Sequence, residues 1–202
     1  MSNLKKYKMF IDGEWVESES KKTFKSLNPE NNEPWAEVPE ASEKDVDKAV
    51  KAAQKAFEGT WPKLFPRERA KYLKAIAEQL RENAELLGKI ETIDTGKLFK
   101  ETKTQANYIA EYYDYYAGLA DKVEGTVLPI DKPNMQVITT RVPIGVVAAI
   151  IPWNSQMLLT AVKLAPALAM GNTVVIKSSE LAPATLFEFA KLIEKTGIPK
   201  GT

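Results

Sequence analysis

The chain has 202 residues, 44% of them hydrophobic, enough for a sizeable core in one domain or two small ones. Its 28 basic and 27 acidic residues leave a net charge of +1, so there is no electrostatic reason to expect nucleic acid or an acidic membrane surface as a partner. Cysteine and histidine are both absent, which excludes disulfides, thiolate metal sites and thiol catalysis by these residues and removes the commonest neutral-pH acid–base group.

No apolar run approaches the ~18 residues needed to cross a bilayer. The basic start Met1–Lys8 has no long apolar stretch behind it, so no secretory signal is expected and the cytoplasm is the expected location. A Gly-x-Ser-x-Gly nucleophile elbow is also missing.

Met9–Ile11 and Glu14–Val16 flank Asp12-Gly13, the signature of a β-hairpin with a two-residue turn. Asn28-Pro29 and Pro34 predict irregular chain. Ser42 with Asp45 three residues on predicts a capped helix, whose apolar face would be Val46, Ala49, Val50, Ala53 and Phe57. Gly59 ends it. Pro66 opens a second helix with a stripe of Ala70, Leu73, Ala77 and Leu80, continued after a break by Leu86, Leu87 and Ile90. Gly96 interrupts, and Thr102–Ala120 is a third helix whose Tyr108, Tyr112, Tyr113, Tyr115 and Tyr116 are expected to pack against neighbours.

Met135–Val142 alternates and is rich in Val, Ile and Thr, predicting a strand. Val146–Ile151 and Thr173–Ile176 are short β-branched runs with the composition of strands buried on both faces, and Met157–Met170 between them is helix-length. Strand, helix and strand, each strand ending on polar residues, form the start of a nucleotide-binding parallel sheet, in which ligands bind at the strand ends. Pro183–Thr196 is a last helix stopped by Gly197. The fold class is therefore α/β: a hairpin, helices and an oligomerisation-type strand leading into an incomplete Rossmann-like sheet. Residues 1–134 would be the hairpin and helical region, 135–142 the strand, and 143–202 the start of a dinucleotide-binding domain.

These motifs, Ile151-Pro152-Trp153-Asn154, Lys163, and Ala165 through Glu180, together with Phe10–Trp15, Asn28-Pro29, the Val46–Phe57 helix and Asp94–Lys97, resemble the amino-terminal part of the NAD(P)-dependent aldehyde dehydrogenases, the betaine-aldehyde and broad-substrate members among them. The resemblance implies oxidation of an aldehyde to a carboxylic acid through a cysteine thiohemiacetal. It makes Asn154 the side-chain amide of the oxyanion hole, a neutral donor suited to developing negative charge. On spacing alone, Asn154 is equally a cap for the helix that follows.

Lys177 and Glu180 match the pair that binds the adenosine ribose, with Ser179 between them. Glu180 favours NAD over NADP, because a carboxylate repels a 2′-phosphate. On their own, these residues read as a strand end and as a favourable charge near a helix N-terminus. Ile150, Pro152 and Trp153 match cofactor-lining positions, and without the resemblance they read as sheet core. Lys163 matches a charge-relay lysine, although a Lys on such a helix is ordinarily solvated. Ser26, Leu27 and Asp94 match ligands of K⁺ or Na⁺ through oxygen atoms, and Asp94 also reads as a surface turn residue.

The chain departs from the family pattern at Ser155-Gln156, where an aromatic-Pro pair is usual, and at Ser178, where a Pro is usual, which would loosen that turn. The nucleophilic Cys and general-base Glu lie beyond Thr202 in the family. This chain alone is therefore expected to be inactive as the front part of such an enzyme, with a small-molecule aldehyde as substrate and a homo-oligomer as the full-length form. The alternative is a non-catalytic short interaction or assembly protein derived from the same family.

Overall fold

The computed structural model describes residues 4–202, so the first three residues of the basic leading stretch lie outside the described residues. The chain opens with strand β1 (Lys5–Lys6) and the expected hairpin, β2 (Met9–Ile11) and β3 (Glu14–Val16). Asp12 and Gly13 take φ of 52° and 72°, the left-handed pair that a type I′ turn requires.

The stretch around Asn28 and Pro34 is not irregular. Strands β4 (Thr23–Asn28) and β5 (Glu33–Pro39) pair antiparallel, with β1 parallel on the other side of β5. Pro34 is tolerated because β1 pairs only with Ala36 and Glu37, and because the β4 register shifts between Ser26 and Leu27 beside it.

Helix α1 (Glu43–Glu58) carries the predicted Ser42–Asp45 capping box. Its buried face is only partly the predicted one: Ala53 is buried and Ala49 and Phe57 half-buried as expected, but Val46 and Val50 are exposed, and Asp45 and Ala56 are buried instead. Asp45 sets the phase. Its carboxylate accepts from Ser18 Oγ (2.9 Å) and the Glu19 amide (3.2 Å), which turns the small alanines inward. That close approach lets Thr173 Oγ1 donate to Ala53 O at 2.9 Å.

After a 3₁₀ turn at Trp61–Lys63, the long stripe splits at Asn83 into α2 (Pro66–Glu82) and α3 (Ala84–Thr95). Asn83 Nδ2 caps Gln79 O at 2.8 Å. Leu73, Ala77, Leu80 and Leu87 are buried, but Leu86 turns outward. Gly96, at φ 76°, ends α3 as expected. Helix α4 (Phe99–Leu119) starts ahead of the predicted Thr102. Tyr113 is fully buried, Tyr112 and Tyr116 pack on the core, and the exposed Tyr115 meets Tyr116 edge-on with ring centres 5.2 Å apart, whereas Tyr108 is exposed, so the packing reading holds for most of that cluster.

The predicted strand at 135–142 shortens to β7 (Val137–Thr139), which pairs with an unpredicted β6 (Thr126–Leu128). Only three residue pairs face each other in this hairpin, so nothing among the described residues extends β7 toward Val142. The strand–helix–strand unit forms as predicted: β8 (Val146–Ile150), α5 (Gln156–Ala169) and β9 (Thr173–Lys177), followed by α6 (Ala184–Lys195). The parallel register runs from Val146 opposite Thr173 to Ile150 opposite Lys177.

The strands are not buried on both faces. The core that includes α5 covers Ala149 and Val174, and α1 reaches the other face at Thr173, leaving Ala148 and Ile150 exposed. No helix among the described residues is long and apolar enough to cross a membrane.

Candidate functional site

The parallel register brings the two strand tips side by side. Ile150 stands opposite Lys177, and the next amide, Ile151 N, donates to Lys177 O at 3.0 Å. Past that point both chains leave the sheet in short polar loops at the C-terminal strand ends, where open α/β sheets bind ligands. Ile150 at the end of β8 and Pro152, Trp153 and Asn154 in the first loop are all exposed.

Asn154 does not cap α5. Ser155 holds the N-cap position, and the Asn154 amide makes no hydrogen bond among the described residues. Its two donors are therefore free for a ligand oxygen. Lys97 Nζ hydrogen-bonds Ser155 Oγ, tying this loop to the start of the α3–α4 connection.

In the second loop Lys177 Nζ meets Glu180 Oε2 at 2.9 Å, with both side chains exposed. The lysine hydrogen bond holds the Glu180 carboxyl below the usual range. Ser179 is buried, and its Oγ accepts from the Leu181 amide at 3.2 Å, which fixes the turn that presents Glu180. The tips thus carry an uncommitted amide on one strand and an ammonium–carboxylate pair on the other.

Lys163 is not brought to the tips. It lies two turns into α5, half-buried, with Nζ 3.4 Å from its own helix at Leu159 O.

Ser26 and Asp94 do meet. Ser26 Oγ donates to Asp94 Oδ1 at 2.6 Å, while Asp94 Oδ2 accepts the Ala184 amide at 2.7 Å. Asp94 is therefore no surface turn residue: it is buried in the last turn of α3 and caps the N-terminus of α6. Burial raises its carboxyl, and the Ser26 and Ala184 hydrogen bonds oppose the rise. The Leu27 side chain is exposed. No group of three or more His, Cys, Asp or Glu residues able to hold a metal exists among the described residues.

Two features escaped the sequence reading. Glu91 is fully buried, and neither carboxyl oxygen has a partner among the described residues. Burial, aided by Asp94 and Glu101 and opposed by Lys97, pushes it up to about 7. A charged residue on the buried face of α3 was the available signal. The second is Ser178 Oγ, which donates to Gln156 Oε1 at 3.2 Å and so joins the two loops. An apolar cleft of about 330 Å³ runs along β9 past Ala53, Leu164, Val174 and Ile193, but neither Asn154 nor Glu180 lines it.

The profile of the aldehyde dehydrogenase family matches residues 15–202. The chain belongs to that family. It is 49% identical over 199 residues to a (Z)-2-((N-methylformamido)methylene)-5-hydroxybutyrolactone dehydrogenase of Acinetobacter baylyi, covering 98% of this chain and 40% of that protein. With a betaine aldehyde dehydrogenase of Bacillus subtilis it shares 43% identity, over 96% of this chain and 40% of the relative. Among solved structures, the betaine aldehyde dehydrogenase of Staphylococcus aureus in complex with NAD⁺ superposes with a TM-score of 0.92 at 40% identity, covering 96% of this chain and 39% of that one. The chain thus spans about two-fifths of the length of the curated relatives it matches. The α/β fold read from the sequence agrees with these aldehyde dehydrogenase structures.

Proposed function

We propose that this chain supplies the cofactor-binding and oxyanion-holding part of an NAD-dependent oxidoreductase that converts a small-molecule aldehyde to a carboxylic acid. The observation that carries the reading is the pairing of the tips. Asn154, with an unspent amide, and the exposed Lys177–Glu180 pair project from neighbouring parallel strands at the same end of the sheet.

The donor set suits NAD. The Lys177 ammonium offers three donors and the Glu180 carboxylate only acceptors, a combination that vicinal ribose hydroxyls satisfy and a 2′-phosphate does not. Ile150, Pro152, Trp153 and Ser179 would line the same cofactor. When bound, NAD⁺ supplies the hydride acceptor. Asn154 would hold the substrate oxygen as it gains negative charge, and its neutral amide offers no proton to lose there.

Lys163 would act as a relay remote from the tips. Ser26, Leu27 and Asp94 would hold K⁺ or Na⁺ only by sharing a carboxylate already bonded twice. In this reading, residues 143–202 open the dinucleotide-binding unit and residues 1–134 form the hairpin and helical region. The exposed apolar β6–β7 hairpin, whose second strand falls within the 135–142 stretch, supports a role in homo-oligomer contacts.

The thiohemiacetal chemistry needs a thiolate, and this sequence contains no cysteine. The purified 202-residue chain is therefore expected to give no aldehyde-dependent NADH above the protein-free rate. Turnover by that chain would overturn the assignment of roles.

A further inference from the structure

Gln156, the first residue of α5, is fully buried two positions past Asn154. Its Oε1 accepts from the hydroxyl of Ser178, one position past Lys177. This side-chain bond connects the loop that carries Asn154 with the loop that carries Lys177 and Glu180. Beside it, the Ile151–Lys177 backbone bond sits at the last rung of the sheet.

Ser178 Oγ also lies 3.2 Å from Ser179 O, and one hydroxyl proton cannot serve both acceptors. Turning the Gln156 amide by half a turn resolves the competition. Nε2 then donates to Ser178 Oγ and the hydroxyl donates to Ser179 O, leaving Oε1 in place of Nε2 as the amide atom without a partner among the described residues. In either orientation the two loops stay bonded.

The two ends of this bond are also the two places where the sequence departs from the family pattern beside the site. A proline at 156 or at 178 has neither donor nor acceptor on its side chain, so neither residue could bond the other with a proline opposite. Proline would also fix φ after Lys177; here the hydroxyl of Ser178 restrains that turn instead. Burying a glutamine amide under a loop is costly unless its hydrogen bonds are made.

We propose that Gln156 and Ser178 form a latch that sets the spacing between the Asn154 tip and the Lys177–Glu180 tip, and that both are positioning residues for the cofactor. The positioning role rests on Lys177 and Glu180 being the ribose contacts.

The test uses the protein as its source makes it, with Gln156→Met, Ser178→Ala, the double variant and Ser178→Thr. Two readouts are taken: hydrogen exchange of the amides at 151–155 and 177–181 without ligand, and the Kd for NAD⁺. Each single variant is expected to speed exchange in both loops and raise Kd about three- to tenfold. The double variant should do no more than either single one, and Ser178→Thr, which keeps the hydroxyl, should behave as wild type.

Additive effects, or unchanged exchange, would overturn the latch. Coupled exchange with unchanged NAD⁺ affinity would overturn the positioning role. A separate variant, Glu180→Gln, keeps the two claims apart. If it binds NAD⁺ as wild type while the latch variants bind it more weakly, the ribose assignment fails and the latch stands. Size-conserving Gln156→Met and the half-buried Ser178→Ala probe the bond from opposite ends, so a folding defect in one leaves the other to decide.

Discussion

Asp94 and Glu180 both stand close to the start of α6, yet the fold uses them in opposite ways. Asp94 is sealed between β4, α3 and α6, with one oxygen on Ser26 Oγ and the other on the Ala184 amide. Glu180 is exposed, with Lys177 the only side-chain partner of its carboxylate among the described residues. The same contrast separates two regions of the molecule. Where the amino-terminal strands meet α1 and α6, two carboxylates are already committed: Asp45 to Ser18, Glu19 and Ser42, and Glu188 to Lys5 and Lys191. At the strand tips the polar groups are left open. A buried, fully bonded carboxylate stabilises a fold, whereas an exposed, singly bonded one remains free to exchange its partner for a ligand.

The sharpest test of this contrast is Asn154→Ala in the intact protein from its source. Loss of an oxyanion donor should lower kcat about a hundred- to a thousandfold. The melting temperature should not move, because the Asn154 side chain bonds nothing among the described residues. A large stability change with modest kinetics would put Asn154 on the structural side of the comparison.

Asp94→Ala should do the reverse. It strands the Ser26 hydroxyl and the Ala184 amide in the interior and should cost about 2–4 kcal/mol of stability, measured by denaturant unfolding. An unaltered midpoint would show that the fold does not depend on this carboxylate.

Glu91 extends the comparison to pH. Its carboxyl is raised from 4.5 to about 7 in the fold. The stability it contributes is therefore full below about pH 4.5 and lost as pH rises through about 7, a swing of about 3 kcal/mol. Glu91→Gln should flatten the stability profile between about pH 4.5 and about pH 7, the span of that shift, and be the more stable protein at the alkaline end. Parallel profiles for variant and wild type would contradict the buried, neutral carboxyl.

The smallest expected effect is that of Glu180→Gln. NAD⁺ affinity should fall about tenfold and the preference for NAD⁺ over NADP⁺ should narrow. Thermal unfolding should be unchanged, since an exposed ion pair contributes little. Equal discrimination by both proteins would remove Glu180 from the cofactor.

Much of the fold was legible because local chemistry and tertiary packing agree there. Asp12-Gly13 can make only a tight turn, Ser42 and Asp45 cap each other, and Gly96 and Gly197 stop helices at positive φ. Sequence periodicity failed where a long-range polar contact overruled it. The bonds from Asp45 to Ser18 and Glu19 rotate α1 so that Val46 and Val50 face out, which the apolar spacing alone could not reveal. Pro34 looked like a breaker, but it sits opposite Leu27 beside a register shift, where β1 does not reach it and no ladder bond needs its missing N–H.

At the tips, residue types and order were readable, and so was their convergence once the two strands were taken as parallel neighbours. The Gln156–Ser178 bond was not, because it depends on which side chains meet across two loops 22 residues apart. Asp94 was misread as a surface residue for the same reason: its partners, Ser26 and Ala184, are distant in sequence.

The most direct measurement is a crystal structure of the intact source protein with NAD⁺ bound. The adenosine ribose hydroxyls should lie within hydrogen-bond distance (about 3 Å) of Glu180 and Lys177, with the Asn154 amide still open to a substrate oxygen. A cofactor seated elsewhere, with the Lys177–Glu180 pair closed in solvent, would contradict that placement.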